Sequence, residues 1–144
     1  MAYRILVVCL GNICRSPTAE VVLRDRARAA GLDVEVDSAG TSGWHLGEPP
    51  HRPMIATARQ SGYDLSPLRA RQVSEQDFFA FDLILVADRN NLRDVELRRP
   101  AGNNTPVRLL ADDADVPDPY YTGDYIGALQ IIEEAADKLI AQLQ

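Results

Sequence analysis

The 144-residue chain has only two cysteines and lacks any long apolar run. Cys9 and Cys14 lie in one short stretch, which is a poor place for a staple between distant segments, so we expect two thiols in a reducing compartment. No apolar run reaches the roughly 20 residues of a membrane-spanning helix, and the first residues do not follow a signal-peptide pattern. These absences predict a cytoplasmic protein without membrane insertion.

An excess of positive charge is also missing. The 15 Lys and Arg residues against 21 Asp and Glu give a formal net charge of −6, which argues against nucleic-acid binding because that function needs a basic surface. Hydrophobic residues make up 46% of the chain and charged residues 25%, as in ordinary globular proteins. A chain of this length can bury one core. We therefore expect one domain over residues 1–144.

Patterns for metal binding are absent as well. His45 and His51, the only two histidines, have no Cys or carboxylate neighbours at metal-ligand spacing, so both are expected to be solvated. The acidic run at Asp112, Asp113 and Asp115 invites a metal interpretation, but solvated surface carboxylates are the simpler alternative. The sequence predicts no metal site and no cofactor.

What the chain does contain is an alternation of apolar runs and helical patterns. We predict strands over 4–9, 34–37, 82–87 and 107–110, with Ser16 as the N-cap of the first helix and Asp88 as the cap of a later helix. Phe78 and Phe79 are both predicted to face the core. The pattern indicates the α/β class, in a single three-layer domain with a four-stranded parallel sheet flanked by helices. A ligand loop is expected after the first strand.

That loop is the most informative stretch, Cys9-Leu10-Gly11-Asn12-Ile13-Cys14-Arg15-Ser16-Pro17. A lone cysteine is usually a buried hydrophobe, and Gly-Asn alone signals only a turn. Here a thiol and a guanidinium are separated by five residues where a strand meets a helix. Loop N–H groups, the helix N-terminus and Arg15 would stabilise a thiolate and bind an oxyanion. The pattern predicts a phosphate-binding loop whose thiol attacks the phosphoryl group.

The run from Cys9 to Pro17 resembles the signature loop of the low-molecular-weight protein tyrosine phosphatases. The likeness extends to Asp37-Ser38-Ala39-Gly40-Thr41, Arg71-Gln72 and Asp118-Pro119-Tyr120, and so covers nearly the whole chain. It implies hydrolysis of protein phosphotyrosine through a cysteinyl-phosphate intermediate, with Asp118 as general acid and then as the base that activates water. It also implies a phosphotyrosine protein as substrate, a bacterial tyrosine kinase as a candidate partner, and a monomer or weak self-association.

The residues themselves also favour Asp118, because Pro117 and Pro119 hold its carboxyl in a rigid segment. A positioned acid typically accelerates such a reaction about 10²–10⁴-fold. We predict Cys9 as nucleophile, Arg15 as phosphate ligand and Asp118 as general acid and base.

A deep slot with aromatic sides would select phosphotyrosine, whose phosphate lies far from its backbone. The predicted substrate contacts are Leu10, Gly11, Asn12, Ile13, Cys14 and Ser16 in the loop, and Trp44, Tyr120 and Tyr121 on the walls. Two of them have an alternative: Trp44 as a core anchor and Tyr121 as packing at a helix start.

Support for the loop is expected from its own polar side chains. Ser16 is placed to donate a hydrogen bond to the Cys9 thiolate, and Asn12 suits left-handed backbone. In the resembled family, an Asn, a Ser and the His of a His-x-Ala-Arg-Gln segment brace the loop. Leu68 stands at that His position here, so we expect an active but less rigid loop, with Ser38 lacking part of its network. A reversible Cys9–Cys14 disulfide is a further hypothesis.

Other functions fit the sequence less well. A thiol-based arsenate reductase needs further cysteines, and none follows Cys14. A protein-arginine phosphatase is closer, but the bulk of Ile13 favours a flat ring over a guanidinium. A non-catalytic phosphate-binding module would not need Cys9 and Asp118 together.

Overall fold

The computed structural model describes residues 2–144, so Met1 of the predicted domain lies outside the described residues. Four strands form one parallel sheet in the order β2-β1-β3-β4: β1 (Tyr3–Cys9), β2 (Val34–Gly40), β3 (Leu83–Val86) and β4 (Val107–Leu109). The helices within these residues are α1 (Arg15–Ala29), α2 (Arg52–Gln60), α3 (Asp77–Ala80), α4 (Arg89–Glu96), α5 (Pro119–Thr122) and α6 (Tyr125–Leu143). The predicted four-stranded parallel sheet in a single α/β domain is confirmed.

Strand β1 has helices on both of its faces. Its alternate side chains point to opposite sides of the sheet, so Ile5 and Val7 join the core beneath α1, α2 and α6, whereas Leu6 and Val8 join the core beneath α3 and α4. All four side chains are fully buried. A strand covered on both faces needs a continuous apolar run, which explains why β1 was readable from sequence. The result is the predicted three-layer arrangement.

The start of α1 differs from the prediction. The helix begins at Arg15, and Cys14, not Ser16, occupies the N-cap position without a side-chain cap bond. Pro17 therefore lies inside the first turn, which tolerates proline because the first N–H groups of a helix have no intrahelical partner. The Ser16 hydroxyl is used elsewhere, in a contact with the Cys9 sulfur.

Two short helices correct other expectations. In α3, Phe78 is 1% exposed whereas Phe79 is 71% exposed, so the prediction that both face the core is wrong. Successive residues on a helix point about 100° apart, and here the Phe78 side chain joins the core whereas that of Phe79 points to solvent. Helix α5 was not predicted, and it begins directly after Asp118. The predicted Asp88 cap is confirmed, since its carboxylate accepts the Asn91 N–H at the start of α4.

None of the helices within residues 2–144 has both the length and the apolar character that crossing a bilayer requires.

Candidate active site

The loop between β1 and α1 is shaped by close contact with the end of β2. A Cβ on Gly40 would lie 2.8 Å from the Leu10 carbonyl oxygen and 3.2 Å from the Asn12 nitrogen, so only glycine fits there. The N–H of Thr41 donates to the Cys9 carbonyl at 2.9 Å, and the N–H of Ser42 donates to that of Leu10 at 3.0 Å. These contacts fix where the loop leaves the sheet.

Asn12 forms the turn of the loop. Its φ of 57° is left-handed, as the sequence predicted, and its side chain is buried. Its Nδ2 donates to the hydroxyls of Ser16 at 2.7 Å and Ser38 at 3.0 Å, while its Oδ1 accepts the Arg71 N–H at 3.0 Å. Asn12 therefore joins the loop to the first turn of α1, to β2 and to the segment after Ala70.

The Cys9 sulfur lies at the end of β1 and contacts the Ser16 hydroxyl at 3.0 Å. The same hydroxyl oxygen accepts from Asn12 and lies 3.3 Å from the Ala39 carbonyl oxygen. A hydroxyl has a single proton, so Ser16 can donate either to the sulfur or to that carbonyl. This geometry suits a hydrogen bond to a thiolate.

Arg15 is a buried cation held by three acceptors. Its Nη1 donates to Asp88 at 2.7 Å and to the Val116 carbonyl at 2.9 Å, and its Nη2 donates to Asp118 at 3.3 Å. Burial lowers the Arg15 pKa, but Cys9, Asp88 and Asp118 outweigh it and leave that pKa raised, so the guanidinium stays charged. Its buried Nε has no hydrogen-bond partner among residues 2–144 and remains a donor for an anion.

Asp118 is the N-cap of α5. Its Oδ1 accepts the Tyr120 N–H at 3.1 Å, while its Oδ2 lies against Arg15. The preceding segment is fastened to the sheet, because the Val116 N–H donates to the Ala87 carbonyl just after β3 at 2.8 Å. A helix start and a sheet contact, in addition to the two prolines, thus fix this carboxylate.

Most of the predicted substrate contacts meet at one narrow slot of about 30 Å³. Its lining comprises Leu10, Gly11, Ile13, Cys14, Trp44, His45, Asp118, Tyr120 and Tyr121. Trp44 and Tyr121 are each 70% exposed, which excludes the core-anchor alternative for Trp44. Cys9, Asn12, Arg15 and Ser16 are not among the residues that line the slot. Asn12 hydrogen-bonds to Ser16, whose hydroxyl contacts the Cys9 sulfur.

The family model for low molecular weight phosphotyrosine protein phosphatase matches residues 4–144. The chain belongs to this family. It is 44% identical to the Bacillus subtilis low molecular weight protein-tyrosine-phosphatase YfkJ, over 97% of this chain and 95% of the relative. The crystal structure of YfkJ superposes with a TM-score of 0.94 at 40% identity, over 100% of this chain and 96% of that one. Wzb of Vibrio vulnificus, solved with benzylphosphonate, superposes at 0.87 with 29% identity and 99% coverage of both chains. The protein is thus an enzyme, a protein tyrosine phosphatase.

The polar network behind the phosphatase loop is more complete than the sequence suggested. Leu68, at the position of the family histidine, packs half-buried against the core. Ser38 nevertheless has an acceptor, because its hydroxyl donates to the buried Glu20 carboxylate at 2.6 Å. Glu20 in turn accepts from Arg24 at 2.5 Å. The expectation that Ser38 lacks part of its hydrogen-bond network is therefore wrong. Glu20 is a supporting residue that sequence reasoning missed.

Asp88 is a second missed residue. From sequence it was assigned only as a helix cap, yet it also binds Arg15. The signal was its place just after β3, because the carboxyl ends of neighbouring parallel strands meet at one edge of the sheet. The strand order, which places β3 beside β1, was needed to use that signal.

The two histidines are only partly solvated, whereas the sequence predicted both to be solvated. Both are half-buried, and their ring centroids lie 6.3 Å (His45) and 5.1 Å (His51) from that of Tyr120. The N–H of His51 donates to the Ile13 carbonyl at 2.8 Å, which folds the 44–51 segment over the loop. Nothing in the local sequence signals this long-range contact.

The acidic run forms ion pairs on the surface. Asp112 lies 2.5 Å from the Lys138 ammonium, and Asp115 lies 3.2 Å from the Arg89 guanidinium. In the described part of the chain, no group of three or more His, Cys, Asp or Glu side chains is arranged to hold a metal ion.

Cys14 is a free, buried thiol at the edge of the slot. Burial first, and then the nearby Asp118 and Cys9, raise its pKa well above the usual range, with Arg15 opposing them. Cys14 therefore stays protonated at neutral pH. The two loop thiols thus have different surroundings, because the Ser16 hydroxyl contacts the Cys9 sulfur and not that of Cys14.

Proposed function

We propose that this phosphatase hydrolyses phosphotyrosine in proteins through a phosphoryl group carried on Cys9. The observation that supports this proposal best is that three groups lie in or beside the loop between β1 and α1. These are the Cys9 sulfur, the charged Arg15, whose Nε has no partner within residues 2–144, and the Asp118 carboxylate beside the slot. The loop would supply the anion site, and the sulfur lies at the end of β1, where that loop begins.

Arg15 and the loop N–H groups would take up the charge on the equatorial oxygens during phosphoryl transfer. Such catalysis depends mainly on position and charge compensation, because the transition state is loose and its charge is spread over those oxygens. Asp88 and the Val116 carbonyl hold the guanidinium from behind, which leaves its Nε and Nη2 for the substrate. A bound phosphoryl group would take the place of Asp118 on Nη2.

Asp118 is proposed as the general acid for the leaving phenolate, whose parent pKa is about 10. Protonating this oxygen as the bond breaks removes the cost of expelling a strong base. Once the tyrosine has left, the same carboxylate can take a proton from the water that attacks the cysteinyl phosphate. Its position beside Arg15, at the rim of the slot, is compatible with both steps.

The walls of the slot favour an aromatic phosphoester. Tyr120, Tyr121 and Trp44 border it, and Ile13 also contributes to its lining. Wzb, a structural neighbour, has been crystallised with benzylphosphonate, an aryl ligand that shares the ring and the phosphoryl-like group of phosphotyrosine. This comparison supports aryl phosphoesters as the substrate class, with their flat ring between the aromatic walls.

Hydrolysis of aryl phosphates in the presence of EDTA tests this proposal. We expect wild-type turnover without metal, its abolition by Cys9→Ser, and a loss in Asp118→Ala that grows as the leaving group becomes more basic. An Asp118→Ala loss equal for all leaving groups would contradict the acid role. Peptides carrying phosphotyrosine, phosphoserine or phosphoarginine test the substrate class, and faster turnover of phosphoarginine would refute it.

A further inference from the structure

The segment from Ala70 to Val73 extends the sheet beside the end of β2. The Gly40 N–H donates to the Arg71 carbonyl at 2.8 Å, and the Val73 N–H donates to the Gly40 carbonyl at 2.8 Å. Gly40 and Gln72 form a parallel bridge. Gly40 is the residue that touches the nucleophile loop, so this segment forms the next layer behind it.

The Arg71 side chain anchors the segment between two elements. Its Nε and Nη2 donate to Asp37 of β2 at 3.3 and 3.0 Å, and its Nη1 and Nη2 donate to the two Asp77 oxygens, each at 3.1 Å. Asp77 is buried and also accepts the Ser74 N–H at 2.8 Å. Arg71 is therefore an ion-paired crosslink between β2 and the start of α3.

The Arg71 backbone carries this anchoring to the loop. Its N–H donates to Asn12 Oδ1 at 3.0 Å, and Asn12 Nδ2 donates to the Ser16 hydroxyl that contacts the Cys9 sulfur. Asn12 holds left-handed backbone, which Asn tolerates better than most residues but which still depends on the contacts around it. A shift of the Arg71 N–H would release the Asn12 side chain and loosen the turn.

We infer that Arg71 is a positioning residue for this phosphatase reaction, acting on Cys9 through Asn12 and Ser16. The inference rests on the proposed role of Cys9. Arg71 touches neither the slot nor the sulfur, so it should affect how often the loop holds its reactive shape. It should not change which phosphoester enters.

Arg71→Ala tests the inference, with Arg26→Ala as its matched control. The Arg26 side chain is 32% exposed, against 36% for Arg71, and it also pairs with two carboxylates, those of Asp137 and Glu133. Arg26 is part of α1, and its ion pairs connect α1 to α6. Both variants remove one positive charge and two ion pairs. We expect kcat toward an aryl phosphate to fall about tenfold in Arg71→Ala, with KM changed less than about threefold, and to stay within about twofold in Arg26→Ala.

A double-mutant cycle with Asn12→Ala tests the route. If Arg71 acts through Asn12, then adding Arg71→Ala to Asn12→Ala should lower kcat by less than about twofold. Arg71→Lys should recover part of the lost kcat, since an ammonium can still pair with Asp37 or Asp77. Thermal unfolding of each variant checks that the assay measures folded enzyme.

Three results would overturn the inference: unchanged kcat in Arg71→Ala, an equal loss in Arg26→Ala, or additive losses in the cycle. Failure of the proposed function is distinguishable from these. Turnover that survives Cys9→Ser would refute the role of Cys9, whereas normal kcat in Arg71→Ala together with an inactive Cys9→Ser would refute Arg71 alone.

Discussion

Asp88 performs two tasks that substitution can separate. One carboxylate oxygen caps α4 by accepting the Asn91 N–H at 2.8 Å, and the other accepts from Arg15 Nη1 at 2.7 Å. The substitution Asp88→Asn would retain the capping oxygen but turn an amide donor toward the guanidinium, whereas Asp88→Ala would remove both functions. Asp88→Asn compared with the wild type therefore isolates the contact with Arg15, and Asp88→Ala compared with Asp88→Asn isolates the cap.

The expected sizes follow from these contacts. Asn is as good an N-cap as Asp, so Asp88→Ala should be less stable than Asp88→Asn by about 1 kcal/mol. A hydrogen bond between charged groups contributes about 1.5–3 kcal/mol, and each 1.4 kcal/mol is about tenfold in rate. Because Val116 and Asp118 still hold the guanidinium, we expect the lower end, about a tenfold loss of kcat/KM in both variants.

Steady-state hydrolysis of p-nitrophenyl phosphate and urea unfolding measure the two quantities. The prediction is equal activity loss and unequal stability. Normal kcat/KM in Asp88→Asn would show that Asp88 does not orient Arg15 for catalysis. Activity that follows stability across the two variants would show that its only role is the cap.

Three further predictions concern single positions. Because burial raises the pKa of Cys14, that thiol stays protonated between roughly pH 6 and pH 9, so iodoacetate should label Cys9 alone in the native protein; labelling of Cys14 in tryptic peptides would refute this. Gly40→Ala forces a Cβ to 2.8 Å from a loop carbonyl and should cost about 1–3 kcal/mol of unfolding free energy together with activity, so a wild-type urea midpoint would contradict it. Phe78→Ala should cost about 3–5 kcal/mol by urea unfolding and its exposed neighbour Phe79→Ala less than about 0.5 kcal/mol, and equal costs would contradict the burial pattern.

The parts of the fold that the sequence revealed are those with a strong local signal. Strand β1 was readable because it is buried on both faces. The loop was readable because it contains a thiol, a guanidinium and a proline at close spacing directly after the strand. Asn12 was placed in left-handed backbone because its residue type tolerates that state. Local chemistry was enough in each case.

The parts that were missed depend on contacts between distant segments. Asp88 lies 73 residues from Arg15, and Arg71 lies 59 residues from Asn12, so neither contact has a local pattern. His45 and His51 were predicted to be solvated because their packing depends on Tyr120, far along the chain. Asp118 was predicted as the acid from its flanking prolines and from the family resemblance, but its helix cap and its contact with Arg15 required the fold.

The central claim is that the phosphoryl group passes through the Cys9 sulfur. It can be tested most directly by acid-quenching the Asp118→Ala variant during turnover of a good substrate and mapping the phosphorylated peptide by mass spectrometry under acidic conditions. Asp118→Ala should accumulate the intermediate, because water then lacks its base. We expect a phosphoryl adduct on Cys9 that is absent from Cys9→Ser, whereas turnover with no adduct, or with an adduct on another residue, would contradict the account.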